Sequence, residues 1–513
     1  MKFDDVLRQF SNRRIGKATA VLVFASAASV FLTYLIPQWY SFFTSKAFVF
    51  TNGWDEEFYL SWQGVLLLKG TVGTYSLYLS WLMHMMGISG SVQNLLLDTL
   101  LPPLTALLVY LSLRRCEIPV ATAAGYAVLI CFGSVLFNAN NPLISAQLGQ
   151  TRTATVWFMS GWEVYPSILR TPNPEISFFL IAAAVYGYVR FGKWWLLLLP
   201  LPLLYFFTAT AYGFVLVASF VYVQVRSRFH VGWRAAVSYA ALLTFFASGG
   251  GFLVLSFVMG LYKPDNVIRN TPYLFSETRM VQFPVGTVAL VALFSFGIGF
   301  GWLRLERRWI VPLLILGVAS ISVVNLHLFT GFMMSQKNYY DYGLALIFPI
   351  ALVIAIQSIR LEFPRNIALV GTLIFVSVFC YRSQMIWLGQ ATSYGAEITP
   401  GIDRLRKDPL RAIIADWNAA GRAAYSSPQL LSPLSYVYWY VINQCAEFPA
   451  WAGDAWNFES KHLVAGSRAF VEAQDVAEKV HAAEKLQPKP ESDLPYCSEV
   501  DLKNRDFYII GPK

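Results

Sequence analysis

Apolar runs of about bilayer length recur along the chain, separated by short polar turns. Ala18–Pro37, Thr287–Leu303 and Ile310–Leu328 show the pattern most plainly. A helix that crosses a bilayer needs about 20 mostly apolar residues. The repetition therefore predicts an α-helical polytopic membrane protein with about 11 transmembrane helices. The expected spans begin with Ala18–Tyr40, Val92–Leu113 and Pro119–Phe137. A fourth opens in "TPNPEISFFL", where Asn173 suits an N-cap, Pro174 the first helical position and Glu175 the helix dipole. It closes at Arg190–Lys193. Trp194–Val225 reads as a hairpin of two short helices broken near Thr208–Gly213. Ala235–Met259, Pro284–Leu303, Trp309–Leu328, Tyr342–Ile359 and Ile367–Leu388 complete the set. The first run continues past the cleavage-like Ala25-Ser26-Ala27, too long for a signal peptide, so it reads as a retained helix.

Composition agrees with this pattern. Of 513 residues, 56% are hydrophobic, 16% aromatic and 13% charged, where a soluble domain carries roughly a quarter charged. The net charge of +9 is gathered in short turns: Arg114-Arg115, Arg190 with Lys193, Arg226 with Arg228, Arg304 with Arg307 and Arg308, and Arg360 with Arg365. Longer turns of mixed sign alternate with these. The positive-inside rule then puts the N-terminus and the basic turns in the cytoplasm and the C-terminus outside. No basic soluble segment interleaved with aromatics points to nucleic acid. With no endoplasmic-reticulum signal visible, a bacterial inner membrane is the expected location.

Residues 389–513 change character, with more charge, Pro punctuation and no spanning run. The expected organisation is a membrane module over 1–388, with a long first outer loop at 41–90, followed by a small extracytoplasmic α/β domain over 389–513. Ile402–Arg422 and Lys461–Leu486 read as helices, Ser435–Ile442 and Phe507–Gly511 as strands. Cys445 and Cys497 fall in this tail, and an oxidising compartment would permit them to pair.

The charges expected outside are the informative ones. The first outer loop holds Asp55, Glu56 and Glu57, within "TNGWDEEFYLSW"; the second holds Arg152, Glu163 and Arg170. A later turn, "QKNYYDYGLALIFPI", holds Lys337, Tyr340 and Asp341. In a bundle these loops converge, and acids would meet cations beside an apolar wall. That suits a lipid-linked substrate with an anionic head: cations hold phosphate and a carboxylate takes a proton. A plainer reading of Asp55–Glu57 is a helix start after the Asn52-Gly53 turn, with acids favoured by the dipole. Asp98, in an otherwise apolar helix, also stands out, because intramembrane acids are costly.

Asp55-Glu56-x-x-Tyr59, about fifteen residues after a first membrane helix by the spacing of the runs, resembles the GT-C superfamily of membrane glycosyltransferases. Similar arrangements occur in protein O-mannosyltransferases and in lipid A aminoarabinose transferases. The resemblance implies a GT-C-like multi-span bundle that moves a sugar from a polyprenyl phosphate to a glycan, lipid or protein hydroxyl, with inversion. It implies Asp55 as general base, Glu56 orienting the acceptor or sharing the proton, and Tyr59 lining the site. The tyrosine-rich turn nominates Lys337 for the donor phosphate, with Tyr340 beside it; Arg152, Arg170 and Glu163 are further substrate-binding candidates. Glu57 and Phe58 stand where aminoarabinose transferases carry a basic residue, so that family's substrate does not transfer. An Asp-Glu pair could hold Mg or Mn, but cations could neutralise the phosphate instead. Two alternatives stay open: an O-antigen polymerase or ligase acting on pyrophosphate-linked glycans, and a flippase or transporter of lipid-linked sugars.

Overall fold

The computed structural model describes residues 3–45, 79, 82–83, 85–88, 90–137, 166–169, 175–226, 284–326, 338–407, 412–415 and 507–510. Helices dominate these residues. They are α1 (Phe3–Ser45), α2 (Gly90–Arg115), α3 (Val120–Phe132), α4 (Glu175–Phe191), α5 (Phe206–Arg226), α6 (Val285–Gly299), α7 (Arg307–Val324), α8 (Ala345–Gln357) and α9 (Glu362–Lys407). A 3₁₀ turn, Gly133–Leu136, extends α3, and a π-helical turn, Tyr339–Leu344, precedes α8. Among the described residues five helices are long and apolar enough to cross a membrane: Lys17–Phe43, Val92–Arg115, Phe207–Gln224, Tyr339–Gln357 and Glu362–Met385. Val120–Leu136, Gly286–Gly299 and Arg308–Val324 are shorter apolar helices. The chain is a helical, polytopic membrane protein. The expected span Ala235–Met259 lies outside the described residues.

By contact the chain divides into two compact units. The first comprises Met1–Gln38, Asp98–Leu255 and Tyr273–Trp387; the second comprises Trp39–Leu97, Ser256–Pro272 and Leu388–Lys513.

In the first unit α8 is the central helix. Of the Tyr339–Gln357 window 83% is buried, against 28% of Lys17–Phe43 and 33% of Glu362–Met385. Its sequence explains this: ALIFPIALVIAIQ is apolar on every face, and a helix apolar all round is an interior one. In α1, by contrast, Val23, Ala27, Val30, Tyr34 and Gln38 are buried, a spacing of three and four that places one stripe inward. Gly125 of α3 lets α1 and α9 close in. A methyl group there would lie 2.8 Å from Val23 Cγ1 and 2.9 Å from Leu369 Cδ2.

Contacts fix the relative directions of the helices. Gly125 lies at Val23, and Phe132 packs on Tyr34 with ring centroids 5.4 Å apart, so α1 and α3 run the same way. Val23 and Leu369 meet at Gly125, and Ser29 and Ser377 hydroxyls are 2.6 Å apart, so α9 joins them. Tyr126 donates to Gln357 Oε1 at 2.7 Å while Gly133 lies at Pro349, so α8 runs the other way. Gly286 lies at Phe348 and Leu303 pairs with Ile359, so α6 is parallel to α8.

Two expectations need correction. Thr208–Gly213 is not a break: α5 runs unbroken through it, and Thr208 Oγ1 donates to the Tyr342 carbonyl at 3.2 Å. The limb before it is made of two 3₁₀ turns, Trp194–Leu197 and Leu201–Leu203. Pro200 and Pro202 explain this, since each removes a helical N–H donor and clashes with the preceding turn. The last apolar span ends at Met385, near the expected Leu388, but its helix does not end there, because α9 continues to Lys407. The expected helix Ile402–Arg422 is therefore replaced, where described, by the end of α9 and a strand.

In the second unit β1 (Ala412–Ala415) pairs in parallel with β2 (Phe507–Ile510), Ala412 opposite Phe507 and Ala415 opposite Ile510. β2 occupies the expected Phe507–Gly511 strand. Parallel neighbours need a crossover of a dozen or more residues, which the intervening chain supplies. Ser435–Ile442 and Lys461–Leu486 lie outside the described residues.

Candidate functional site

One end of the first unit carries a buried polar layer, where α1 and α3 end and α4, α5 and the π turn begin. Tyr34, Asp98, Glu175 and Thr208 are all wholly buried there, and Gln38 nearly so. Gln38 Nε2 donates to Asp98 Oδ2 at 2.8 Å. Tyr34 and Gln38 are four residues apart on α1 and so share a face. The carboxylates of Asp98 and Glu175 both lie within electrostatic reach of the Tyr34 hydroxyl. A carboxylate in an apolar interior is costly unless it is hydrogen-bonded or paired, and Gln38 supplies one such bond to Asp98.

A second part of the layer joins two distant stretches of sequence. The Ser167 N–H donates to Ser134 Oγ at 2.9 Å, and Ser167 Oγ donates to the Asp341 carbonyl. All six residues of the π turn, Tyr339 to Leu344, are buried. A π turn widens the helix and leaves its carbonyls misaligned with the usual donors four residues on. Two of them, Asp341 and Tyr342, accept side-chain hydroxyls, from Ser167 and Thr208. Gly343 suits a close approach: a Cβ there would lie 3.1 Å from the Phe207 carbonyl oxygen, a tight contact. The Phe207 ring meets Tyr339 edge-on, with centroids 4.9 Å apart.

No family model matches the chain, and no curated protein matches it significantly. The chemistry of the site therefore rests on its residues alone.

Of the residues nominated from sequence, Asp55, Glu56, Tyr59, Arg152, Glu163, Arg170 and Lys337 lie outside the described residues, as do Cys445 and Cys497. Tyr340 is described: it is 1% exposed, within the apolar cluster of α5, α7 and α8. The structure does fix the roots of two candidate loops. Arg170 follows Ser167 by three residues and Lys337 precedes Asp341 by four, and Ser167 is bonded to Asp341. Among the described residues no three His, Cys, Asp or Glu side chains converge in a way that could hold a metal ion.

The layer also shows what the sequence reading undervalued. Glu175, read as a dipole partner at a helix start, is wholly buried at the first turn of α4. The signal the sequence offered was the mostly apolar run that follows it, Ile176–Ala184. Asp98 carried the same signal, an acid inside an apolar helix, and it is wholly buried.

Proposed function

We propose that this chain is an integral membrane glycosyltransferase of GT-C type. It transfers a sugar from a polyprenyl phosphate to a hydroxyl of a glycan, lipid or protein on the periplasmic face of a bacterial inner membrane. The observation that carries the reading is the position of Asp55-Glu56-x-x-Tyr59. Asp55 lies ten residues after α1 ends at Ser45, and α1 holds the first span. On that helix, Gln38 and Tyr34 belong to the buried acid-bearing layer.

Further observations support it. The parallel course of α1, α3 and α9, opposed by α6 and α8, fits the alternation of exits and returns drawn from the basic turns. The second unit gathers Trp39–Leu97, Ser256–Pro272 and Leu388–Lys513, which overlap the first outer loop, the stretch that follows the expected span Ala235–Met259, and the tail. This is the grouping expected if all three face the same side. A small α/β domain over 389–513 is part of this proposal; within it the described residues are the end of α9 and the parallel pair of Ala412–Ala415 with Phe507–Ile510. About 11 spans, with the N-terminus cytoplasmic and the C-terminus periplasmic, complete the proposed topology.

In the proposed reaction Asp55 takes the proton of the acceptor hydroxyl as its oxygen attacks the anomeric carbon. The bond from that carbon to the phosphate oxygen breaks, and polyprenyl phosphate leaves from the opposite face, so the configuration inverts. Glu56 and Tyr59 orient the acceptor. Negative charge grows on the departing phosphate, and cations placed there stabilise the transition state more than the ground state. Lys337 and Arg170 take that role, on loops whose roots Ser167 and Asp341 tie together. Arg152 and Glu163 remain substrate-binding candidates, whereas Tyr340 packs in the core. Should Asp55 and Glu56 bind Mg or Mn, the metal would add charge neutralisation at the phosphate.

Vesicles holding the protein, given radiolabelled polyprenyl-phosphate sugars, test the reading. Transfer of label to an acceptor is the expected result. Reaction with pyrophosphate-linked glycans only would replace it with the polymerase or ligase reading, and lipid-sugar movement without transfer would replace it with a transporter.

A further inference from the structure

At the opposite end of the first unit, two basic turns are stitched together. Leu303 and Ile359 form an antiparallel backbone pair, flanked by Arg304 N–H to the Ser358 carbonyl at 2.7 Å and Arg360 N–H to the Trp302 carbonyl at 3.3 Å. In extended backbone successive side chains point to opposite faces. Leu303 turns inward, where its side chain packs on Gly297. Trp302 and Arg304 therefore share the outward face, and Arg360, next to Ile359, shares it too. Exposure agrees at these positions: Trp302 is 70% exposed, and Arg304 and Arg360 are exposed, while Leu303 and Ile359 are half-buried; Ser358, with helical backbone at the end of α8, is buried.

This places two arginines diagonally across one small face, where like charges disfavour each other. The nearby acids are engaged elsewhere. Glu306 pairs with Arg308 at 2.7 Å, and Glu362 lies 3.9 Å from Arg365. Among the described residues neither Arg304 nor Arg360 has a carboxylate partner. The Arg360 guanidinium donates to the Gly301 carbonyl at 3.2 Å, which holds it beside Trp302. Nearby, Arg365 Nε is buried with no hydrogen-bond acceptor. Next to the cations stands an apolar wall. Phe296, Phe300 and Trp302 are stacked, with centroids 6.5 and 5.3 Å apart, and each is about two-thirds exposed.

We propose that this face binds an anionic phospholipid, with the phosphate bridging Arg304 and Arg360 and the acyl chains lying along Phe296, Phe300 and Trp302. Guanidinium groups suit a phosphodiester because their N–H donors match its oxygens. Basic pockets between membrane helices are a recognised setting for anionic headgroups. The aromatic wall distinguishes a lipid from free phosphate, since a free ion would have no use for it.

The test uses the full chain in nanodiscs, with phosphatidylglycerol or phosphatidylcholine carrying brominated chains, and reads quenching of tryptophan fluorescence. The difference between wild type and Trp302→Phe isolates the Trp302 signal. Phosphatidylglycerol is expected to quench that signal at roughly a tenfold lower mole fraction than phosphatidylcholine, given the attraction per basic residue near an anionic headgroup. Arg304→Gln with Arg360→Gln removes the preference, and Arg308→Gln, already paired with Glu306, keeps it. Equal quenching by the two lipids in wild type overturns the proposal, whether or not the arginine variants fold. So does loss of the preference on adding millimolar inorganic phosphate, which would mark a site for the free ion.

Discussion

The Gln38 side-chain amide donates to the Asp98 carboxylate at 2.8 Å, and both residues are buried in the first unit. α1 and α2 are thus joined by a hydrogen bond to a charged group in an apolar interior. Such bonds contribute about 1.5–3 kcal/mol each. Gln38→Leu should lower the unfolding free energy in detergent by about that amount. Gln38→Leu made in an Asp98→Leu background should cost less, because the bond is already absent. Additive effects of the two changes would show that the pair contributes nothing jointly.

Ser167 anchors two loops through one side chain, whose hydroxyl donates to the Asp341 carbonyl. Ser167→Ala should cost about 1 kcal/mol in stability. It should also raise the donor KM several-fold with a smaller change in kcat, because the roots of the Arg170 and Lys337 loops lose their tie. Unchanged kinetics beside a lowered unfolding midpoint would confine Ser167 to a structural role.

Lys337→Ala and Arg170→Ala should each weaken use of the polyprenyl-phosphate donor. One charge-assisted contact to phosphate corresponds to about a tenfold loss or more in kcat/KM. Steady-state transfer with donor varied and acceptor saturating measures it. Full activity of both variants would remove these residues from the site.

Glycines separate packing from propensity. Gly125→Val would drive a branched side chain between Val23 and Leu369, where even a methyl carbon sits under 3.0 Å from both. Overpacking of this kind costs about 1–3 kcal/mol. A methyl group on Gly371 of α9 would meet nothing within 4 Å, so Gly371→Ala should stabilise by about 0.5–1 kcal/mol through helix propensity. Unfolding midpoints of the two variants should therefore move in opposite directions.

Hydrophobic runs made much of the bundle legible in the sequence. Val92–Leu113 became Gly90–Arg115, and the helix expected from Pro174 is described from Glu175 to Phe191. Local chemistry decides such elements, since long apolar runs and end signals act over a few residues. The misplaced break at Thr208–Gly213 has a tertiary cause: Thr208 finds the Tyr342 carbonyl, 134 residues away. The π turn at Tyr339–Leu344 likewise depends on Ser167, Thr208 and the close passage of Phe207, which no local pattern records. Of the candidate site, the sequence marks the acids and cations by type and position. Only the fold shows that the roots of the Arg170 and Lys337 loops meet.

Asp55 as the base of a glycosyl transfer is tested most directly by comparing wild type with Asp55→Asn. Transfer and donor binding are both measured, using the same radiolabelled polyprenyl-phosphate sugar. Asp55→Asn should bind donor with wild-type affinity and transfer at least about a hundredfold more slowly, the scale of a lost general base. Equal transfer by both proteins would contradict that role and leave Asp55 as a helix-start residue.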